Sequence, residues 1–232
     1  MKENLFFYYS NDLHSHFENW PKIVGYFNEQ KKIRQQQEQS YWLMDLGDHA
    51  DRSHPITEAL KGRANVELLN EAGFDLATIG NNEGITLDYN DLYHLYDNAD
   101  FQLLCANLAS LKDRNPDWLK PFTVKESRQG VKIGFIGLTA PFNAFYNLLG
   151  WQVEDPFTML DHYLPELAAE SDIIVVLSHL GINEDEVIAQ RYEEVDVIIG
   201  GHTHHLFRHG EYINNTLLTA AGKHGKYLVK YY

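Results

Sequence analysis

Two spacings of apolar residues alternate along the chain. Short continuous apolar runs recur at LFFYY (5–9), YWLMDL (41–46), DLATIG (75–80), FQLLCANL (101–108), VKIGFIGL (131–138), DIIVVLS (172–178) and VDVIIG (195–200). Several lack the in–out alternation of a sheet with one wet face, so they predict strands covered on both sides. Between them apolar residues fall three and four apart, which predicts helices over roughly 16–38, 56–72, 88–98, 157–170 and 183–192. ITEALKGRANVELLNEAG is the clearest of these, with Gly73 placed as its C-cap, and EQKKIRQQQEQ (29–39) reads as the solvated end of the first helix. Strand and helix in alternation indicate an α/β fold. The tail EYINNTLLTAAGKHGKYLVKYY departs from this, with Asn-Asn and Gly-Lys-His-Gly turn signals that predict antiparallel hairpins. No repeat or long linker interrupts the chain, so one domain over residues 1–232 is expected.

Composition narrows the partners. The 33 acidic and 19 basic residues give a formal charge of -14. That charge repels a nucleic-acid backbone, so nucleic acid is not an expected partner unless bound cations reverse the field locally. No run approaches the length of a membrane span, and MKENLFFYYSND enters a strand directly without a signal peptide's apolar region. A cytoplasmic location is the expectation. Cys105, the single cysteine, excludes an intrachain disulfide and suits a buried strand thiol. The unusual number is twelve histidines.

Their placement matters more than their number. FFYYS runs into NDLHSH with Asp12, His14 and His16; YWLMDL runs into GDHADRSH with Asp48 first. DLATIG runs into NNE, DIIVVLS into His179 of SHLG, and VDVIIG into GHTHH with His202, His204 and His205. Each motif alone has a plainer explanation. Asp-x-His serves as a turn or cap, GDHADRSH as a helix N-cap, Asn81 as a turn amide, His179 as a satisfied core histidine and GHTHH as a surface turn. Together they place Asp, His or Asn at the end of five strands, the edge where α/β sheets form ligand sites. Carboxylates, imidazoles and an amide oxygen without a loop thiolate suit Zn²⁺, Mn²⁺ or Fe²⁺.

NDLHSH, GDHADRS, GNNE, SHLG and GGHTHH resemble, in that order, the five motifs of the calcineurin-like metallophosphoesterases, and most closely the catalytic domain of the 5′-nucleotidases in its YunD-like branch. The resemblance spans Asp12 to His204. It implies a four-layer α/β/β/α sandwich of two mixed sheets holding two divalent metal ions. By motif, Asp12, His14 and His204 would hold one ion and Asn81, His179 and His202 the other, with Asp48 bridging. Two-metal sites place their ions about 3.5–4 Å apart, within the span of one carboxylate. The implied reaction is attack by a metal-bridged hydroxide on a small phosphate monoester, a nucleotide above all.

Two departures from that family stand out. Where its motif has Gly-Asn-His-Glu, this chain has Asn82, and where an Asp follows three residues later it has Ile85. Asn82 can donate a hydrogen bond to a phosphoryl oxygen but cannot deliver a proton, and losing a general acid costs about 10²–10⁴ in rate. His49, Arg52 and His205 stand beside ligand motifs as replacements or as bystanders, Arg52 having the fork geometry for phosphate. Glu83 either orients a ligand or caps the next turn. The second departure is length: in 5′-nucleotidases a C-terminal domain supplies the aromatic clamp for the base, and this chain stops at KYLVKYY, as a fragment or as a protein lacking that domain. Two other functions remain open, a cyclic-nucleotide phosphodiesterase or nuclease, and a metal-binding or sensing module with little catalysis.

Overall fold

The computed structural model describes residues 3–231; Met1, Lys2 and Tyr232, the ends of the expected domain, lie outside the described residues. In chain order the elements are β1 (Leu5–Ser10), α1 (Trp20–Gln36), β2 (Ser40–Asp45), α2 (Pro55–Leu60), α3 (Arg63–Ala72), β3 (Leu76–Ala77), α4 (Asn81–Thr86) and α5 (Tyr89–Tyr93). Then follow β4 (Gln102–Leu104), β5 (Leu108–Ser110), β6 (Leu119–Lys120), β7 (Phe122–Glu126), β8 (Lys132–Thr139), α6 (Asn143–Tyr146) and β9 (Trp151–Val153). The last are α7 (Pro156–Glu170), β10 (Ile173–His179), α8 (Ile182–Arg191), β11 (Val197–Gly200), β12 (Glu211–Ile213), β13 (Thr216–Thr219) and β14 (Val229–Tyr231).

One sheet has the order β14-β1-β2-β3-β4-β6, the other β12-β13-β11-β10-β8-β7. Both are parallel in the middle with antiparallel strands at an edge: β14 against β1 in the first, β7 against β8 and β12 against β13 in the second. Their inner faces meet in a core that joins Phe7, Tyr9, Trp42, Met44 and Leu104 of the first sheet to Phe135, Val175, Leu177 and Ile199 of the second. Helices α1 and α3 cover the outer face of the first sheet through Ile23, Phe27, Val66 and Leu69. Helices α7 and α8 cover the second through Leu160, Leu164, Leu167 and Ile188. This is a four-layer α/β/β/α sandwich, and being covered on both faces explains why its strands read as unbroken apolar runs.

Several boundaries move for local reasons. The helix expected from residue 16 begins at Trp20, because residues 13–19 turn beside the site before Pro21 opens the first turn. The helix expected over 56–72 is two, broken where Lys61 and Gly62 take left-handed backbone. The one expected over 88–98 spans only Tyr89–Tyr93. FQLLCANL divides at Asn107, whose amide donates to the Thr139 carbonyl and accepts the Thr139 N–H, so that β5 leaves to pair with β9. In the tail, β12 and β13 form the expected hairpin, whereas Gly-Lys-His-Gly belongs to a loop and β14 pairs with the open edge of β1.

The inter-sheet core generates a stability prediction. Phe135 is fully buried and its ring meets Phe7 at 6.1 Å and Trp42 at 6.0 Å. Phe135→Ala should therefore cost about 3–5 kcal/mol in urea denaturation. A loss under about 1 kcal/mol would mean that the sheets do not depend on this contact.

Candidate metal centre

Five strands and the loops after them deliver the side chains. β1 leads to Asn11, Asp12 and His14; β2 leads to Asp48; β3 leads to Asn81 at the first position of α4; β10 ends in His179; β11 leads to His202 and His204. The DLATIG run is laddered only at Leu76 and Ala77, after which the chain pulls away toward the site. Asp12, His14, Asp48, His202 and His204 all hold left-handed backbone, with φ of 50°, 49°, 51°, 70° and 59°. Such conformations are disfavoured for residues with a Cβ and persist only where surroundings enforce them.

The enforcement is a lacing of loop to loop. The Asp12 and His14 N–H groups donate to the Gly47 and Asp48 carbonyls at 3.1 and 2.8 Å, and the His202 N–H donates to the Asp12 carboxylate at 3.0 Å. Glu83 closes the other side. Its buried carboxylate accepts N–H groups from Asp48 (3.0 Å), Gly80 (3.0 Å) and Ala50 (2.8 Å). It therefore both caps α4 and holds the Asp48 turn. Gly80 must lack a side chain, since a Cβ there would stand 2.1 Å from Asp48 Oδ1.

The side chains converge as two groups: Asp12, His14 and His204, and Asp48, His179 and His202, the donor atoms of each lying within 4.8 Å of one another. In the first, His14 Nε2 lies 3.2 Å from His204 Nε2, and Asp12 Oδ1 is 3.7 and 3.4 Å from those nitrogens. Asp48 Oδ2 stands between the groups, 3.4 Å from His179 Nε2 and 3.7 Å from His14 Nε2. Two of the four imidazoles are aimed from behind: His179 Nδ1 meets the Leu46 carbonyl at 2.6 Å and His14 Nδ1 faces Asp51 at 3.5 Å.

These groups fit divalent ions on two observations. Asn81 Oδ1 is buried with no hydrogen-bond partner among the described residues, an arrangement that costs free energy unless something is bound, and His179 Nε2 is buried facing the Asp48 carboxylate at 3.4 Å. Asp12 and Asp48 are buried, and the basic partners of both among the described residues are histidines, so added positive charge would offset their desolvation.

The electrostatics follow from this crowding. Burial opposes ionisation of Asp12, but hydrogen bonds from His14 and His204 outweigh it and hold the carboxyl well below its usual range. Burial likewise opposes charge on His179, yet the adjacent Asp48 carboxylate raises the imidazole to about 10. Burial and the neighbouring His179 lower His202. Beneath the centre, burial raises Asp185 to about 8, against a hydrogen bond from Ser178, the residue before His179.

Asn82 does not face open space. Its backbone N–H and its Nδ2 donate to the two oxygens of Asp48, each at 2.7 Å. Ile85, three residues on, packs against the core of the first sheet. The Arg52 fork is taken by Glu58 and by the Thr86 carbonyl, so it is not free to clamp phosphate. His49 is buried against Asn65 and Trp20, where desolvation lowers its imidazole to about 3, and His205 is exposed beside Thr203. Neither is in the two donor groups.

The sequence did not single out His224. Its ring lies over His16 at 3.8 Å, tilted by 33°, and meets His14 edge-on at 5.7 Å, while its backbone N–H donates to the Asp12 carbonyl. Its one signal was the Gly-Lys-His-Gly turn, which reads as a hairpin until the loop is seen to fold over the site.

Comparison with known proteins agrees with this geometry. The family model described as calcineurin-like phosphoesterase matches residues 7–206. The chain is 45% identical over 228 residues to the uncharacterized metallophosphoesterase YunD of Bacillus subtilis, covering 98% of this chain and 49% of YunD. It is 26% identical to the trifunctional nucleotide phosphoesterase protein YfkN of the same organism, over 95% of this chain and 17% of YfkN. Among solved structures, a 5′-nucleotidase precursor from Thermus thermophilus superposes with a TM-score of 0.85 at 24% identity, over 97% of this chain and 50% of that one. The chain thus spans about half the length of YunD.

Two predictions come from the supports. Glu83→Ala strips acceptors from three buried N–H groups and should cost about 3 kcal/mol or more in chemical denaturation, since each unsatisfied group costs about 1–3 kcal/mol. A loss under about 1 kcal/mol would remove Glu83 from this role. Asp185 is raised in the folded state, so its contribution is complete below its ordinary value of 3.8 and is lost as pH rises through about 8. Asp185→Asn should remove that loss: between pH 5 and pH 8 the melting temperature of the metal-free variant should fall less than that of the wild type. Parallel pH profiles would contradict the assignment.

Proposed function

Because the chain belongs to the calcineurin-like phosphoesterase family, we propose that it hydrolyses a small phosphate monoester, with nucleotides the leading candidates. Asp12, His14 and His204 would hold one divalent ion, Asn81, His179 and His202 a second, and Asp48 would be shared between them. One observation carries this: Asp48 Oδ2 faces nitrogens of both donor groups at once, at 3.4 and 3.7 Å. Two divalent ions held there supply positive charge to the phosphoryl oxygens and lower the pKa of a water toward neutrality. Zn²⁺, Mn²⁺ and Fe²⁺ all suit the donor set, and cellular supply selects among them. The printed names of YfkN and the Thermus thermophilus protein support a nucleotide as substrate.

The protein's own groups set the limits of the reaction. Asn82 fixes both oxygens of Asp48 and so holds the bridge in one orientation, but its amide has no proton to give a leaving alkoxide. Esters with good leaving groups are therefore turned over best. In this proposal residues 1–232 form the catalytic unit and act in the cytoplasm, which agrees with Cys105 being a free, buried thiol. Any further domain, as the greater length of YunD suggests, would bear on specificity.

With Mn²⁺, p-nitrophenyl phosphate should be hydrolysed and Asp48→Ala should abolish that activity; an unaffected rate would remove Asp48 from the bridge. Faster turnover of bis(p-nitrophenyl) phosphate than of the monoester would point instead to a phosphodiesterase. Metal binding with no turnover of any ester would make the chain a binding module. Asn82→His should favour alkyl phosphates over p-nitrophenyl phosphate relative to the wild type, by up to about 10²-fold if the new imidazole reaches the leaving group. No change in that ratio would mean that Asn82 is not standing in for an acid.

A further inference from the structure

The rim of the metal centre has two unlike sides. Beside His14 and His204 lies the loop that carries the His224 ring, flanked by Lys223 and Lys226, whose charges are positive in a chain of net charge -14. Beside His202 lies an aromatic side chain instead: the Phe142 ring stands 5.6 Å from the His202 ring at an interplanar angle of 59°. Phe142, which precedes the first turn of α6, is 37% exposed, and Phe145, whose N–H donates to the Phe142 carbonyl at 2.9 Å, is 55% exposed. An apolar surface rimmed by polar residues is a mark of ligand-binding sites, and this one adjoins the donor groups.

The element that presents them is fixed. The Asn143 amide donates to the Val153 carbonyl at 2.7 Å and accepts the Val153 N–H at 2.8 Å, clamping α6 to β9. Tyr146, fully buried, presses so close to Gly84 that a Cβ there would meet its Oη at 2.0 Å. Gly84 lies in α4, which begins with Asn81 and Asn82. Phe142 and Phe145 are thus held at a set distance from the donor groups by the helix that carries two of the site residues.

We propose that Phe142, with Phe145 beside it, is the specificity-determining wall that takes a flat aromatic group on the leaving side of an anionic phosphate ester. The inference rests on the phosphoesterase function proposed above. A phosphate held among the histidines leaves its ester substituent near the rim, and the basic loop on the opposite side favours the anionic end there. An aromatic face against Phe142 gains apolar burial and ring–ring contact that an aliphatic group of similar reactivity cannot. The fit is to a phosphate ester carrying an aromatic ring, whether a nucleobase or a simple aryl group.

Benzyl phosphate and ethyl phosphate test this, because both release an alcohol of similar acidity and differ in the ring. With the Mn²⁺-loaded full chain, kcat/KM for benzyl phosphate should exceed that for ethyl phosphate by about tenfold, and Phe142→Ala should bring the two within about twofold. Phe142→Tyr, which keeps the ring, should restore most of the preference. A second readout needs no turnover: by calorimetry, benzylphosphonate should bind about tenfold tighter than ethylphosphonate, and Phe142→Ala should erase the difference. If both esters are hydrolysed but the preference is missing or survives Phe142→Ala, the wall is overturned and the phosphoesterase function stands; such a result would fit a protein segment covering Phe142 and Phe145. If neither ester is hydrolysed while the phosphonates keep a Phe142-dependent preference, the wall stands and the proposed function falls.

Discussion

Asp12 and Asp48 are buried side by side in a chain that brings neither lysine nor arginine to them among the described residues. Two carboxylates removed from water need compensating positive charge, and the rest of the local structure is arranged around that need. Histidines from three strand ends surround them. In the free protein His14 and His179 serve as proton-carrying partners, which is why the carboxyls are lowered while those two imidazoles are raised. A divalent ion offers the same compensation with more charge in less space.

The sandwich is what makes this convergence possible. Parallel strands of both sheets end at one edge, and the left-handed backbone at Asp12, His14, Asp48, His202 and His204 turns their side chains inward instead of along the strand. That backbone is held by bonds between loops of different strands, so no motif is self-supporting. Glu83 shows the dependence most plainly, since one buried carboxylate anchors the turn after β2 and the start of α4 together.

The strand ends were legible because polar ligands after apolar runs are conspicuous, and all five motifs lie where the sequence put them. The α/β alternation was legible for the same reason. What was not legible is what depends on distant contacts. Nothing in DLATIG shows that its ladder stops after Ala77, because Thr78 to Gly80 are as apolar or small as a strand requires while bending toward Asp48. Glu83 offered two roles in sequence, and the structure shows it capping α4 while its carboxylate also holds the backbone of the Asp48 turn. His224 and Phe142 escaped because each borders the site only after a chain return, one from the tail and one from the loop after β8. Asn82 was read as a missing acid; the structure adds that it grips Asp48, and that Ile85 behind it serves the core.

The central claim is that Asp48 joins two donor groups into one dinuclear centre. Native mass spectrometry of protein purified without chelator and equilibrated with Mn²⁺ measures this directly. Two ions per chain in the wild type, falling to one or none in Asp48→Ala, is the predicted result. A wild type that binds no ion, or an Asp48→Ala variant that keeps two, would contradict it.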